Sequence, residues 1–156
     1  MEKIIQQNST GIQWNICNSL INILADKIQA SGIKFDLIIG ISKGGLIPAV
    51  MIGHKLGIKS FLCVGASHYE GNKQKKEVEI HQFPTEELKK FNKDANILLI
   101  DEIIDSGETV NIVIKKLKDV GFVNIVVATI CYRNYAKIKP DFWAEEVKTW
   151  IIFPWE

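Results

Sequence analysis

Two short stretches carry residues whose types and order suit chemistry. The first runs Ile97 to Val110: Ile-Leu-Leu-Ile-Asp-Glu-Ile-Ile-Asp-Ser-Gly-Glu-Thr-Val. Its four opening apolar residues are long enough for a strand buried on both faces. Asp101 and Glu102 follow at once, then two more apolar residues, then Asp105-Ser106-Gly107-Glu108-Thr109 and a helical pattern. In a parallel α/β sheet, ligands bind in the crevice outside the carboxyl ends of the strands. A Ser-Gly-Thr loop feeding a helix N-terminus leaves main-chain N–H groups without intrahelical partners, and the helix dipole adds partial positive charge. That combination is a seat for a phosphate group. Two carboxylates just before it suit vicinal hydroxyls or a magnesium ion. The pattern proposes a sugar phosphate, its phosphate on the loop and its hydroxyls on the acids. Taken singly, Asp and Ser at a strand end are also ordinary helix N-caps.

The second stretch is Ser42-Lys43-Gly44-Gly45, behind the apolar run Phe35 to Ile41. Paired glycines let the backbone approach a ligand closely, and Lys43 offers a point charge for phosphate. A tight turn explains an isolated Gly-Gly equally well. Beside the Asp101 stretch it gains weight, because both loops would leave the carboxyl ends of strands in one sheet.

The elements that position these loops follow from periodicity. Thr10 and Gln13 have capping-box spacing. Ile12, Ile16, Leu20, Ile23, Leu24 and Ile28 then recur at helical period until Gly32. A second helix spans about Leu46 to Leu56, with Pro48 in its first turn and Gly57 after it. Ser60 to Ala66 and Glu77 to Phe83 read as strands flanking a polar, basic segment, with His68 and His81 as hairpin residues. Pro84 to Asp94 is a charged connector. Val110, Val113, Ile114, Leu117 and Val120 continue helically to Gly121, and Val123 to Cys131 is a further buried strand. The tail holds three of the four tryptophans.

The 156 residues fit one domain, 1–156, with a sizeable core. Apolar residues make up 47% and charged residues 24%, which is ordinary for a soluble globular chain. A net charge of +1 argues against a general nucleic-acid binder. No apolar run approaches a membrane span, and the start lacks the features of a signal peptide. Cys17, Cys63 and Cys131 read as reduced core thiols in a cytoplasmic protein.

The Ile97–Val110 stretch resembles the phosphoribosyl-pyrophosphate (PRPP) motif of type I phosphoribosyltransferases: apolar residues, two acids, two apolar residues, then Asp/Ala-Thr-Gly-x-Thr. Ser106 replaces the usual Thr and keeps the hydroxyl. Glu108 brings a carboxylate near a phosphate, so its side chain is expected to point away. The Ser42–Gly45 loop resembles the family's pyrophosphate loop, with Lys43 at the position of an Arg, and the resemblance implies a cis Ser42–Lys43 peptide. Ser67 and Tyr69 resemble the Ser-x-Tyr of a flexible lid that closes over bound PRPP. Thr149 to Glu156 resembles the base-binding segment of xanthine-guanine phosphoribosyltransferases, roughly Thr-Trp-Ile-x-x-Pro-Trp-Asp. On that match Trp150 stacks on a purine, Ile151 offers main-chain contacts and Glu156 reads the 2-position edge. Arg133 stands where relatives place a Lys for the 6-oxo group.

The resemblance implies an α/β fold with a parallel sheet, Rossmann-like, with helices on both faces, a lid loop and a small C-terminal hood at about 139–156. It implies transfer of 5-phosphoribosyl from PRPP to a 6-oxopurine (guanine, xanthine or hypoxanthine) in purine salvage, with release of pyrophosphate. Asp101 and Glu102 would hold the ribose, and residues 105–109 the 5-phosphate. Ser42, Lys43 and Gly44 would hold pyrophosphate. Asp105 would be the catalytic base or electrostatic partner, and Mg2+ would sit near Asp101, through water or ribose hydroxyls. Family members are commonly dimers or tetramers. Two other readings stay open at this level: a phosphoribosyltransferase for another base, and a non-catalytic nucleotide-sensing regulator on the same fold.

Overall fold

The computed structural model describes residues 9–70 and 76–156. In chain order the elements are β1 (Ser9–Gly11), α1 (Trp14–Ala30), β2 (Leu37–Ser42), α2 (Leu46–Leu56), β3 (Phe61–Glu70) and β4 (Lys76–Gln82). The short α3 (Thr85–Leu88), β5 (Asn96–Ile104), α4 (Glu108–Asp119), β6 (Asn124–Tyr132), β7 (Phe142–Glu146) and β8 (Trp150–Ile152) follow. Among the described residues the strands form a six-stranded sheet, ordered β4-β3-β2-β5-β6-β7, and a separate pair, β1-β8. Every pairing is parallel except β3 with β4.

Side chains alternate across this sheet because successive Cβ atoms point to opposite faces. Ile38, Leu98, Ile100, Ala128 and Ile130 meet Leu20, Leu24 and Ile28 of α1 and Ala49 and Ile52 of α2. Leu37, Ile39, Ile97, Leu99 and Val127 face the other way, onto Val110, Val113 and Leu117 of α4 and Leu88 of α3. Helices therefore cover both faces, which is why β2 and β5 read as continuous apolar runs. Each fully buried Ile or Leu contributes about 1.5–3 kcal/mol relative to exposure.

The expected helices and buried strands are present, with shifted ends. Gly32, Gly57 and Gly121 follow or close their helices at φ of 73°, 67° and 104°, the left-handed geometry that favours glycine at a helix end. Four readings change. Thr10 is no helix cap: it lies in β1 and its Oγ1 meets Oγ1 of Thr149 at 3.2 Å, while Gln13 makes no side-chain cap. Ile16 and Ile23 are exposed, the core stripe of α1 being Cys17, Leu20, Ile21, Leu24, Ala25 and Ile28. Asp101 and Glu102 sit within β5 instead of after it. The tail divides: Phe142–Glu146 is the edge strand of the main sheet, beside β6, and Trp150–Ile152 pairs with β1.

The order β3-β2-β5-β6 contains the reversal that makes a binding crevice. From β2 the chain crosses through α2 to β3 on one side, and from β5 through α4 to β6 on the other. The loops after β2 and β5 part at that point, leaving room between them.

Gly45 permits their close approach. A Cβ there would lie 2.6 Å from the carbonyl oxygen of Ile41, 2.7 Å from that of Ile100 and 3.0 Å from Asp101 Cα. These are main-chain atoms of the two central strands and have little room to give. Gly45→Ala is expected to destabilise the protein by about 1–3 kcal/mol, seen as a lower melting temperature. Gly11→Ala, with nothing within 4 Å of the new methyl group, is the neutral control.

Candidate active site

A cavity of about 740 Å³ opens between the two loops. Ser42, Lys43 and Gly44 line one wall, and Asp101, Glu102 and the whole of Asp105–Thr109 line the next. Trp150, Trp155 and Glu156 close a third side, and Ser67 and His81 stand at the β3–β4 end. The structure thus brings together every residue expected to hold pyrophosphate, ribose and phosphate, and two of the three expected at the base from the tail. Ile151 turns its side chain into the core. Residues 71–75 of the expected lid, and the side chain of Tyr69, lie outside the described residues.

The phosphate-type loop is built as its sequence requires. Gly107 caps α4 at φ 83°, a conformation that L side chains rarely adopt. The Ser106 hydroxyl accepts a hydrogen bond from Glu108 N at 3.3 Å. The α4 N-terminus, whose first N–H groups have no intrahelical partners, brings its dipole to the cavity edge at Glu108, Thr109 and Val110. Glu108 pairs with Lys137 Nζ at 3.3 Å, an exposed contact worth little by itself that places a counter-charge beside the carboxylate. On the facing wall the Ser42–Lys43 peptide is cis.

The acid pair is unusual electrostatically. Burial drives the Asp101 carboxyl well above the ordinary carboxylate range, and the neighbouring Glu102 adds to the effect. Donation from Glu102 N to Asp101 Oδ1, at 2.9 Å, opposes it. Burial, then the charge of Glu156, pushes Glu102 up to about 7. Glu102 Oε2 is buried without a hydrogen-bond partner among the described residues. It occupies the space beside Gly44, where a Cβ would fall 1.5 Å from Oε2. An orphaned carboxylate oxygen in a ligand-sized cavity is a place for a hydroxyl donor or a cation to satisfy.

On the side of the C-terminal tail, Glu156 is fastened by its own backbone: Phe153 N donates to Oε2 at 3.0 Å, and Glu156 N donates to Phe153 O at 3.1 Å. Trp155 stacks on Phe153 at 4.9 Å and 10° and tilts against Trp14 at 5.8 Å. Arg133 is not among the lining residues. Its Nη1 pairs with Asp105 Oδ1 at 3.0 Å and its Nη2 donates to Lys148 O at 2.9 Å.

Three residues escaped the sequence reading. Trp155 stood in the Thr149–Glu156 segment but was given no role there, and His81 read as a hairpin residue. Tyr135 carried no signal, yet its hydroxyl donates to Asp105 Oδ1. All three reach the site through contacts between elements distant in sequence.

The phosphoribosyl transferase domain matches residues 13–156 of this chain. The chain belongs to the phosphoribosyl transferase domain family. As a phosphoribosyltransferase it is an enzyme of the pentosyl-transferring class. It is 28% identical to a xanthine-guanine phosphoribosyltransferase of Idiomarina loihiensis over 151 residues, 93% of this chain and 85% of that one. It is 32% identical to one from Desulfotalea psychrophila over 125 residues, 78% and 71% of the two chains. Among solved structures it resembles a purine phosphoribosyltransferase from Pyrococcus horikoshii, with TM-score 0.77 and 27% identity over 96% of this chain and 95% of that one.

The raised pKa of Glu102 makes a prediction. Between the ordinary 4.5 and about 7 the folded phosphoribosyltransferase binds more protons at this site than the unfolded chain. Glu102 therefore subtracts stability as pH rises through that window. Glu102→Gln is expected to leave stability nearly unchanged near pH 4.5 and to raise it relative to wild type by pH 7, in denaturant titrations at both pH values.

Proposed function

We propose that this phosphoribosyltransferase moves 5-phosphoribosyl from PRPP to a 6-oxopurine, namely guanine, xanthine or hypoxanthine, in purine salvage. The observation that carries the reading is the convergence of the Ser42–Gly44 loop, the Asp101–Glu102 pair and the 105–109 loop on one cavity walled by Trp150 and Glu156. The names of the relatives in Idiomarina loihiensis and Desulfotalea psychrophila support the purine.

In this reading the 5-phosphate lies against the main chain of Ser106–Thr109 and the α4 dipole. Asp101 and Glu102 accept hydrogen bonds from the ribose hydroxyls. Their raised proton affinity favours a bound donor, since a hydroxyl or cation relieves the repulsion between buried carboxylates. Lys43 and the neighbouring amides take the pyrophosphate. The base lies against Trp150, with Ile151 main chain and Glu156 at its edge.

A purine nitrogen bonds to the anomeric carbon while the bond to pyrophosphate breaks, its electron pair leaving on the pyrophosphate oxygen. Positive charge grows on the ribose as that bond lengthens, so placement and electrostatics do most of the work. Asp105 faces the N7 proton that the base gives up. Among the described residues no group of three acids, histidines or cysteines forms a metal cage. Mg2+ is commonly held by one or two carboxylates plus substrate oxygens, and Asp101 with the orphaned Glu102 Oε2 fits that role. Bound there, the ion would neutralise pyrophosphate charge as it leaves. The protein works in the cytoplasm as a homo-oligomer, a dimer or tetramer.

Incubation with PRPP, Mg2+ and each purine in turn tests this. Pyrophosphate release is expected with at least one of guanine, xanthine and hypoxanthine, and none with adenine or orotate. The double variant Asp101→Ala, Glu102→Ala should keep its circular dichroism and lose at least about 100-fold in rate. Unchanged turnover in that variant removes the acids from the mechanism.

A further inference from the structure

We infer that Tyr135 is a positioning residue for Asp105, acting with Arg133 to hold one carboxylate oxygen so that the other faces the substrate. The inference rests on the role given to Asp105 above. Both donors converge on a single atom: the Tyr135 hydroxyl and Arg133 Nη1 each reach Asp105 Oδ1. Among the described residues nothing bonds to Oδ2, and Asp105 lines the cavity. A carboxylate gripped through one oxygen keeps its rotamer and presents the other with lone pairs free.

The grip is itself held. Arg133 has an 18% exposed side chain, and its second terminal nitrogen is fixed on Lys148 O. Its guanidinium carbon lies 4.9 Å from the Tyr135 ring centre, so the ring steadies the fork. The turn that carries Tyr135 is tied to the catalytic loop by main-chain bonds: Arg133 N to Ile104 O at 3.0 Å, and Lys137 N to Ser106 O at 2.9 Å. Ala136 N closes the turn on Arg133 O at 2.9 Å. Gly107 leaves room for it, since a Cβ there would lie 3.1 Å from Ile138 N. The hydroxyl's bond to Asp105 also raises the phenol above its ordinary range. An exposed tyrosine tied in this way is a clasp on the site and not part of the core.

Tyr135→Phe keeps the ring under Arg133 and removes only the donor. Tyr135 is 59% exposed, so the variant should fold with an unchanged melting temperature. The expected result is a kcat about tenfold lower, the size of one lost hydrogen bond to a charged group, with KM for both substrates within about twofold. In an Asp105→Asn background the same change should cost nothing further, because the two act as one unit. An unchanged kcat in the single variant, or losses that multiply in the double, overturns the inference. A second measurement needs no activity. The phenol titration of Tyr135, isolated as the absorbance difference between wild type and Tyr135→Phe, should fall toward 10 in Asp105→Asn. A titration indifferent to Asp105→Asn also overturns the inference. Because it requires no substrate, failure of the purine assignment is told apart from failure of the clasp.

Discussion

The site depends on how closely the turn after β2 lies against the backbone of β5. Hydrogen-bonded neighbours in a sheet are close in any case, but the turns beyond them usually carry side chains that keep them apart. Here Gly45 rests on the carbonyl of Ile100 and the Cα of Asp101, and Gly44 leaves a notch that the Glu102 carboxylate fills. The loop with Lys43 and the loop after β5 therefore share one cavity. The fold brings these strands together at the point where its winding reverses, and the two glycines let the turns use that position.

The same closeness accounts for the electrostatics. Carboxylates at the end of a buried strand lose water, and to that burial Glu102 adds its charge against Asp101 and Glu156 adds its charge against Glu102. In the proposed reading, holding hydroxyls and pyrophosphate gains from acids kept in this state, because a ligand that supplies hydrogen-bond donors or positive charge relieves the desolvation. Asp105 is treated differently. It lies beyond the strand end, half-exposed, and is tied to Arg133 and Tyr135 instead of being packed beside another acid.

The central motif was legible because its parts are contiguous: an apolar strand, two acids, a small polar loop and a helix start obey local rules. The glycines after α1, α2 and α4 were legible for the same reason, and the family resemblance correctly implied the cis Ser42–Lys43 bond. What escaped was non-local. Thr10 looks like a cap from its neighbours, but Ser9–Gly11 pairs with Trp150–Ile152, a partner no local pattern reveals. Phe142–Glu146 was absorbed into an expected hood because nothing in its own residues marks the parallel pairing with β6. Tyr135, Trp155 and His81 enter the site only once separate elements are packed together. Arg133 was noticed, but its commitment to Asp105 and Lys148 was invisible without coordinates.

The strand that carries Trp150 belongs to the small β1-β8 sheet and not to the layer that bears the acids and the phosphate loop. The parts that would choose the nucleobase and the parts that would handle the sugar thus sit on separate hydrogen-bonded frameworks. In the proposed reading, substitutions in the smaller one would alter which base is accepted while leaving the larger one's strand register intact.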